Sequence, residues 1–417
     1  MNILVVGSGG REHAICWALK KSPSVDKLYC APGNGGIAAI AECVDIKATD
    51  IDNMVKFVQS NPIDFVMVAP DDPLALGMVD AFERAGIRAF GPHANAAIIE
   101  SSKVFSKNLM AKYGIPTAKY ATFTDMDAAI SYIHENGAPI VVKADGLALG
   151  KGVIVAQDVG EAVDAVKSMM ADKKFGESGS RIVIEECLSG PEVTVLAFTD
   201  GKTIVPMLSS QDHKRAYDND LGPNTGGMGA FCPSPNYTPE IAEICMETIF
   251  RPTIDAMNSE GRPFKGVIYF GLMLTPAGPK VIEYNARFGD PETQPILSML
   301  ETDLFEIFDA IVDEKLDTID VKWKSGAACC IVMASGGYPG LYEKGLEIRG
   351  LTDVPDGITV FHAGTALSGE KHLTAGGRVL GVTATDSSLS DAISKAYDGV
   401  KYISFDNAHY RTDIGKK

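Results

Sequence analysis

The two side chains best suited to hold a metal ion in this chain are Glu283 and Asn285. They stand two positions apart in Val281-Ile282-Glu283-Tyr284-Asn285, a segment predicted as a strand. Alternate side chains of a strand share one face, so the pattern places Glu283 and Asn285 together and turns Ile282 and Tyr284 toward a core. Two adjacent oxygen ligands suit Mg²⁺, which completes its shell with water and phosphate oxygens. A half-exposed strand with its polar residues outward would give the same pattern.

The residues after this strand carry charges of both signs. Arg287 lies two positions beyond Asn285, where a guanidinium can face the charge that builds on a transferring phosphoryl or acyl group. Asp290 and Glu292 add carboxylates able to orient an amine or a second metal ion. The run therefore predicts a transfer site beside the metal site.

A glycine-rich hairpin supplies the cations that such a site needs. Residues 140–145 and 153–156 read as strands, joined by GLALGKG at 146–152. Glycines leave backbone N–H groups free to approach an anion, and Lys143 and Lys151 add mobile positive charges. The pattern predicts a flap that closes over polyphosphate, although solvated lysines on an ordinary hairpin fit it too. It is not a P-loop, because the spacing is one residue short and the Ser/Thr is missing.

A third segment has the form of an adenine-binding hinge. The residues EECL at 185–188 end a predicted strand and precede a Gly-Pro turn. Backbone groups there can read the edge of adenine, and Glu192 can accept hydrogen bonds from ribose hydroxyls. Buried strand residues followed by a solvated acid are the alternative reading.

The loop after the first predicted strand fits a small phosphate. It reads GSGGREH at 7–13 and leads into a predicted helix. It is not a dinucleotide fingerprint, because Glu12 takes the third glycine position and no acid ends the second strand. A phosphate at the helix N-terminus, steadied by Arg11, fits better. A tight strand–helix turn without a ligand is the alternative.

Composition and charge exclude several classes of function. The chain has 417 residues, of which 46% are hydrophobic and 22% charged, in the usual range for a globular protein. The sequence holds no apolar run near the roughly 18–20 residues of a membrane span, and its start lacks the features of a secretory signal. The net charge of −16 argues against a nucleic-acid partner, and an anionic substrate must be captured by local N–H groups, lysines and arginines. The 8 cysteines lack metal-site spacing and indicate reduced thiols in a cytoplasmic protein.

The order of predicted elements indicates an α/β fold of three domains. Residues 1–100 alternate strands and helices, which predicts a doubly wound parallel sheet with ligands at the carboxyl ends of its strands. Residues 101–320 form the predicted central domain, with the flap subdomain at about 118–192. Residues 321–417 have their own αβ character. We expect these domains to be fused into one monomeric body.

Taken together, the flap, the hinge and the Glu-x-Asn-x-Arg pattern at 283–287 resemble the ATP-grasp enzymes. More narrowly, the chain resembles the glycinamide ribonucleotide synthetase family. The motifs that carry this resemblance span nearly the whole chain in the family's order: GSGGREH at 7–13, SQDHKR at 210–215, GPNTGGMG at 222–229 and RFGDPET at 287–293.

The resemblance implies a purine-synthesis ligase in which ATP phosphorylates the carboxylate of glycine and 5-phosphoribosylamine attacks the acyl phosphate. It implies that ATP is bound by Lys103, Lys143, Lys151, Glu185, Glu186, Cys187, Leu188, Glu192, Arg215 and Asn224. It implies that Mg²⁺ or Mn²⁺ is bound by Glu283 and Asn285. It implies catalytic roles for Arg287, Asp290, Asp212 and Lys214. It implies substrate contacts from Gly9, Gly10, Arg11, Glu12, Pro70, Asp71, Gly226, Gly227 and Met228.

The chain departs from the family's pattern at three places. Asp71 stands where the family has Glu, Pro191 stands where an acid is common, and the strand at 267–273 lacks the acid that often binds a second metal ion. Three rival functions stay open from sequence. They are an ATP-grasp purine enzyme that uses bicarbonate or formate, a nicotinamide-dependent dehydrogenase, which Glu12 disfavours, and an inactive nucleotide sensor, which the intact cluster at 283–287 disfavours.

Overall fold

A parallel five-stranded sheet forms the N-terminal part of the chain in this computed structural model, which describes residues 1–147, 152–171 and 179–416. Its elements are β1 (Asn2–Gly7), α1 (Gly10–Leu19), β2 (Lys27–Pro32), β3 (Glu42–Cys43), α2 (Ile51–Ser60), β4 (Phe65–Val68), α3 (Asp71–Ala75), α4 (Met78–Arg84), β5 (Arg88–Phe90) and α5 (Ala94–Ser101). The strand order β3-β2-β1-β4-β5 reverses at β1, so the carboxyl ends of β1 and β4 border one crevice. This confirms the predicted doubly wound sheet.

Both N-terminal loops that the resemblance assigns to substrate are helix starts. Helix α1 begins at Gly10, directly after the glycine loop. Asp71, one of the implied substrate contacts, begins helix α3, and Pro70 precedes it as the N-cap residue. Asp71 and Asp72 in the first turn favour a helix start here, since carboxylates are stabilised near the unbonded N–H groups of a helix N-terminus.

Two antiparallel sheets form most of the central part. Its elements are α6 (Lys103–Tyr113), β6 (Tyr120–Phe123), α7 (Met126–Asn136), β7 (Ile140–Ala144), β8 (Val153–Ala156), α8 (Val159–Met170), β9 (Ile182–Glu186), β10 (Glu192–Thr199), β11 (Ile204–Pro206), β12 (Gln211–Asp212), β13 (Arg215–Tyr217), β14 (Leu221–Asn224), β15 (Gly229–Cys232), α9 (Pro239–Cys245), α10 (Arg251–Ser259), β16 (Gly266–Thr275), β17 (Gly278–Asn285), α11 (Thr293–Met299) and α12 (Leu304–Val312). One sheet has the order β6-β9-β7-β8 and carries the predicted flap hairpin; the other has the order β11-β10-β16-β17 and carries the predicted metal strand. Lys143 pairs with Val153 across the hairpin.

The C-terminal sheet takes strands from two parts of the chain. Its own elements are β18 (Ala327–Ala334), β19 (Glu347–Ile348), β20 (Ile358–His362), β21 (Thr365–Ser368), β22 (Lys371–Thr374), β23 (Arg378–Asp386) and α13 (Leu389–Val400). The five-stranded order is β12-β15-β18-β23-β20, so the central strands β12 and β15 complete it. The boundary predicted near residue 320 therefore does not separate the sheets. The strands β19, β22 and β21 form a further small sheet that the sequence analysis did not identify.

Aromatic side chains from different parts of the chain share one core. Phe90 of β5 stacks on Phe308 of α12 with ring centroids 4.0 Å apart, and Phe65 of β4 meets Phe305 edge to face at 5.4 Å. These rings are buried, so the N-terminal sheet and the central part are packed as firmly as one domain interior. Within the described residues, no helix is long and apolar enough to cross a membrane.

Candidate active site

The predicted metal strand presents its two oxygen ligands as a half-exposed pair. Glu283 Oε1 accepts a hydrogen bond from Lys214 Nζ at 3.1 Å, and Asn285 Oδ1 accepts one from Arg287 Nη2 at 3.2 Å. The positive charge of Lys214 is the main reason that the pKa of the Glu283 carboxyl falls to about 2. The group is therefore ionised at neutral pH. A Cβ at Gly271, opposite Glu283 in β16, would lie 2.8 Å from Glu283 Cγ. Glycine at that position leaves room for the carboxylate.

The prediction for Ile282 was wrong, while that for Tyr284 was right. Tyr284 is buried, but Ile282 is only half-buried. The reason is a β-bulge: Gly271 pairs with Glu283 and the next residue, Leu272, pairs with Val281, so Ile282 has no partner in the ladder. A bulge breaks the strict alternation of faces that the sequence argument assumed.

The donor set on this strand fits a hard divalent cation. Among the described residues there is no group of three or more His, Cys, Asp or Glu side chains placed to hold a metal ion. Mg²⁺ does not need such a group, because it uses one or two carboxylate or amide oxygens and takes its other ligands from water and phosphate. An ionised Glu283 with a neutral amide oxygen two residues away supplies that kind of site.

Two of the predicted phosphate-binding lysines, Lys143 of β7 and Lys103 of α6, lie close to the metal strand. Lys143 Nζ donates to the carbonyl of Ile282 at 2.9 Å, directly beside Glu283. Lys103 Nζ donates to the carbonyl of Gly146 at 2.9 Å, at the start of the flap turn. Both lysines are close enough to help lower the pKa of Glu283. Lys151, the third lysine predicted to hold ATP phosphates, lies outside the described residues.

A buried carboxylate, that of Glu185, forms ion pairs with two lysines. Glu185 Oε1 lies 3.0 Å from Lys143 Nζ, and Glu185 Oε2 lies 3.1 Å from Lys107 Nζ. Lys107 also donates to Thr117 Oγ1 at 2.7 Å. Burial lowers the pKa of Lys107 to about 8 despite the nearby carboxylate. The Glu185 side chain is therefore engaged with lysines, its backbone lies in a strand paired on both sides, and its contact with a nucleotide stays a prediction.

The rest of the predicted hinge is partly open. Glu186 Oε1 accepts from the Lys119 N–H at 3.0 Å and from Lys280 Nζ at 3.1 Å, which together lower the pKa of its carboxyl. Cys187 and Leu188 are half-buried and Glu192 is exposed, with Glu192 Oε2 3.5 Å from Lys214 Nζ. The segment has the exposure that a hinge needs, and its role stays a prediction.

Arg287 is held in place by a glutamate that the sequence analysis did not identify. Glu100, the penultimate residue of α5, places Oε1 2.8 Å from Arg287 Nη2 and accepts the Ala286 N–H on Oε2 at 2.7 Å. Burial is the main reason that the pKa of Glu100 rises to about 7, against the pull of Arg287. Asp71 also acts on Glu100 electrostatically, so the residue that departs from the family's pattern faces this cluster. No local sequence signal marks Glu100, because its partner is almost 190 residues away.

The glycine loop of the N-terminal part is closed partly by its own glutamate. Gly9 donates its N–H to Glu12 Oε2 at 2.5 Å, and Arg11 Nε lies 2.6 Å from Glu12 Oε1. Arg11 Nη1 donates to the carbonyl of Phe288 at 3.0 Å, which ties this loop to the transfer site. Glu12 thus occupies the N–H group that a phosphate would need at Gly9. Any phosphate bound here must use other donors.

Asp290 is the point at which three parts of the chain meet. A Cβ built on Gly9 or on Gly10 would lie 3.5 Å from an Asp290 carboxylate oxygen, so the N-terminal loop approaches it closely. A Cβ on Gly227 would lie 2.5 Å from Pro291 Cδ. Arg378 of β23, which the sequence analysis did not identify, reaches Asp290 Oδ2 at 3.3 Å. Gly9, Gly10, Gly227 and Asp290 therefore lie close together, and their roles toward substrate stay predictions.

Met228 has no part in this surface, and its predicted substrate contact is a correction. Its side chain is fully buried in the C-terminal core. Its N–H donates to the carbonyl of His213 at 2.8 Å, and its carbonyl accepts from the Val332 N–H at 3.1 Å. Both backbone groups are therefore used in strand pairing. The glycines on either side made the whole run look like a binding loop.

The remaining catalytic candidates, Asp212 and Lys214, interact electrostatically with Glu192 of β10 and Glu283 of β17. Burial is the main cause that raises the pKa of Asp212 to about 8, and Glu292 and Glu192 add to the rise while Lys214 opposes it. Burial works against the charge on Lys214, yet Glu283, Glu192 and Asp212 raise its pKa well above the ordinary value. At neutral pH Lys214 therefore carries a positive charge.

Arg215 and Asn224 belong to one hairpin, and Arg215 lies beside a cavity. They pair across the hairpin β13–β14, and Arg215 Nη1 donates to the carbonyl of Gly222 at 2.7 Å. Arg215 borders a cavity of about 530 Å³ whose other walls come from β8 and α8, among them Glu161 and Asp164. Neither Lys143 nor Glu283 lines this cavity. The predicted nucleotide contacts of Arg215 and Asn224 stay predictions.

Three family models match the chain in succession. They are described as the N domain, the ATP-grasp (A) domain and the C domain of phosphoribosylglycinamide synthetase, and they match residues 1–100, 101–293 and 328–417. Phosphoribosylamine–glycine ligase of Vibrio vulnificus (strain YJ016) is 51% identical over 419 residues, which cover 100% of this chain and 98% of that protein. The protein of the same name from Caldanaerobacter subterraneus subsp. tengcongensis is 47% identical over 414 residues, 99% of each.

Solved structures give the same result. The crystal structure of phosphoribosylamine–glycine ligase from Thermotoga maritima superposes with a TM-score of 0.86 at 32% identity and covers 100% of both chains. A biotin carboxylase from Campylobacter jejuni superposes with a TM-score of 0.76 at 13% identity, covering 98% of this chain and 92% of that one. The second likeness shows a shared fold alone.

Proposed function

The chain belongs to the phosphoribosylglycinamide synthetase family, and we therefore propose that it joins glycine to 5-phosphoribosylamine with cleavage of ATP to ADP and phosphate. The reaction passes through glycyl phosphate and yields glycinamide ribonucleotide for purine synthesis. The observation that supports it best is the closeness of Lys143 to the predicted metal strand, where Lys143 Nζ donates to the carbonyl of Ile282 at 2.9 Å beside the ionised Glu283. A cation for phosphates and a carboxylate for a metal ion therefore lie side by side.

The ATP side of the reaction is assigned to α6, β7 and β17. Lys103 of α6 and Lys143 of β7 hold the phosphates, and Glu283 and Asn285 of β17 would hold Mg²⁺ or Mn²⁺. The metal ion, when bound, supplies Lewis-acid polarisation of phosphate oxygens.

The transfer side is assigned to the residues after β17. Arg287 is 18% exposed and already oriented by Glu100, so its guanidinium can stabilise charge on the acyl phosphate without reorganising. Asp290 lies where Gly9 and Gly10 meet the central part, and it orients the amine that attacks. An acyl phosphate hydrolyses readily, so exclusion of water by the flap is part of the proposal.

The small-molecule substrates are thus glycine, 5-phosphoribosylamine and ATP. The cytoplasmic location, the monomeric state, the absence of a nucleic-acid partner and the division into three domains at residues 100 and 320 stay predictions from the sequence.

The test is substrate-dependent release of ADP. The purified protein is incubated with Mg-ATP and 5-phosphoribosylamine, formed in the assay mixture from ribose 5-phosphate and ammonia, and one third component is added. Glycine should trigger ADP release and formation of glycinamide ribonucleotide, whereas bicarbonate and formate should not. ADP release with bicarbonate or formate but not with glycine would overturn the proposal.

A further inference from the structure

An arginine of the C-terminal part bridges two segments of the transfer site. Arg378, the first residue of β23, donates from Nη1 to the carbonyl of Gly226 and to the carbonyl of Asp290, both at 2.6 Å. Its Nη2 donates to Asp290 Oδ2 at 3.3 Å. One guanidinium therefore fixes the glycine loop at 222–229 against Asp290.

The loop is held from its other face by the same part of the chain. Tyr338 accepts the Gly226 N–H on its hydroxyl at 3.1 Å. Its ring packs against Gly377, where an added Cβ would lie 2.2 Å from the ring. Both backbone groups of Gly226 are therefore hydrogen-bonded, the N–H to the Tyr338 hydroxyl and the carbonyl to Arg378 of β23.

The carboxylate of Asp290 is fixed at both oxygens. Gln294 Nε2 donates to Oδ1 at 2.7 Å, while Arg378 occupies Oδ2. Asp290 is 17% exposed and Arg378 is 22% exposed, so the pair is largely shielded from solvent. Gly9 and Gly10 approach the same carboxylate closely, since a Cβ on either would lie 3.5 Å from one of its oxygens.

The geometry needs a guanidinium rather than any cation. A planar fork with donors in fixed directions can satisfy three acceptors at once, whereas an ammonium group is a compact point charge on a flexible stem. The acceptors belong to two segments more than 60 residues apart, so nothing local in either segment sets their spacing.

We propose that Arg378 is a positioning residue that holds Asp290 and the Gly226 carbonyl in register for the glycine and amine substrates, while ATP binds independently of it. This inference rests on the proposed function. Among the described residues assigned to the ATP phosphates or the metal ion, none is a hydrogen-bond or ion-pair partner of Arg378, and these residues lie on α6, β7 and β17.

The experiment compares Arg378→Ala and Arg378→Lys with the wild type, with Arg349→Ala as the matched control. Arg349 lies in the same part of the chain, but its side chain is 63% exposed and its nearest carboxylate is 3.8 Å away. Steady-state kinetics give kcat and KM for each substrate, and calorimetry with Mg-ATP in the absence of glycine gives ATP affinity. Thermal unfolding reports whether each variant is folded.

Arg378→Ala should lower kcat/KM for glycine and for 5-phosphoribosylamine about 100-fold, the usual consequence of displacing a reacting group by about 1 Å. ATP affinity and the unfolding temperature should stay near those of the control. Guanidinium ion, well below unfolding concentrations, should restore part of the activity of Arg378→Ala, because it can refill the fork. Arg378→Lys should remain impaired.

Two results would overturn the inference: wild-type kcat/KM for glycine in folded Arg378→Ala, or an equal loss of affinity for ATP and glycine. If Arg378→Ala does not fold, Tyr338→Phe decides, since it removes only the hydroxyl that holds Gly226. That variant should lose kcat/KM for glycine in the same selective way, and an unchanged value would refute the proposal. Failure of the function itself is distinct, because the wild type would then release no ADP with glycine.

Discussion

Replacing Glu283 by alanine should nearly abolish turnover and leave the fold intact. The carboxylate is ionised and lies near Lys143 and Lys103. It is the charged member of the proposed metal pair. Losing a Lewis acid worth about 4 kcal/mol in the transition state lowers kcat about 1,000-fold, since about 1.36 kcal/mol corresponds to tenfold.

The cost to stability can be worked from the same contacts. Lowering the pKa of Glu283 from 4.5 to about 2 would correspond to about 3.4 kcal/mol at most at neutral pH. Because 34% of the side chain is exposed, solvent screening reduces this to about 1–2 kcal/mol. Lys214 also keeps Glu192 at 3.5 Å, so no charge is left without a partner.

The assay pairs this variant with Glu347→Ala. Glu347 lies 3.1 Å from Lys371 Nζ and is 34% exposed, the same distance and exposure as Glu283 with Lys214, but it lies in the C-terminal part. Glycine-dependent ADP release is measured over a range of Mg²⁺ concentrations, with thermal unfolding in metal-free buffer alongside. Both variants should unfold at similar temperatures, and only Glu283→Ala should lose turnover.

Near-normal Mg²⁺-dependent turnover in Glu283→Ala would refute the metal assignment. A large drop in unfolding temperature for Glu283→Ala alone would show instead that the carboxylate is mainly structural. Either result would remove the basis for placing ATP between the flap sheet and β17.

Three further outcomes follow from the described contacts. Glu185→Gln strands two buried lysines without a counter-charge, so the unfolding free energy measured with urea should fall by about 3–5 kcal/mol. Burial lowers the pKa of His13 to about 4 and that of His362 to about 3, so the unfolded chain binds more protons below pH 6.5 and stability should fall as pH drops from 6.5 toward 4. Each histidine contributes a slope of up to about 1.4 kcal/mol per pH unit, and His13→Asn should show a shallower fall in chemical denaturation; an unchanged slope would contradict this. Gly10→Ala keeps the helix start but puts a Cβ 2.6 Å from Gln294 Nε2, so kcat/KM for the amine should fall in steady-state assays without loss of thermal stability.

The histidine prediction concerns a contact that joins distant parts of the chain. The His13 ring accepts the backbone N–H of His362 on Nδ1 at 2.8 Å, and the two ring centroids are 5.6 Å apart. Asparagine can place its side-chain oxygen near the position of Nδ1, so His13→Asn tests the titration while keeping an acceptor.

The sequence was most informative where one segment carries its own signal. The strand predicted at 153–156 is β8 with those bounds, and the strand predicted at 140–145 is β7, which ends one residue earlier at Ala144. The order of motifs along the chain identified the family, the fold class and the ligase activity. Each of these rests on patterns within about ten residues, such as the pairing of polar and apolar faces or a capping side chain.

The features that the sequence did not predict have one cause. They depend on contacts between residues far apart in the chain. Glu100 and Arg378 each fix a predicted catalytic residue, yet both look like ordinary charged residues at the end of an element. Met228 looked like part of a binding loop because glycines flank it, while its side chain is buried in the C-terminal core. Ile282 is only half-buried because a bulge in β17 shifts the register of its pairing with β16.

The residue types and their spacing therefore indicated phosphate and metal chemistry, and the resemblance of the motifs to a known family decided between that chemistry and the structural alternatives. Only the tertiary structure decided how those groups are charged and aimed. Lys143 comes to lie beside Glu283 through the meeting of two sheets, and Asp290 is oriented by β23 and approached by the first glycine loop. The physical reason is that burial, ion pairing and register depend on neighbours brought in by folding, and those neighbours leave no local trace in the sequence.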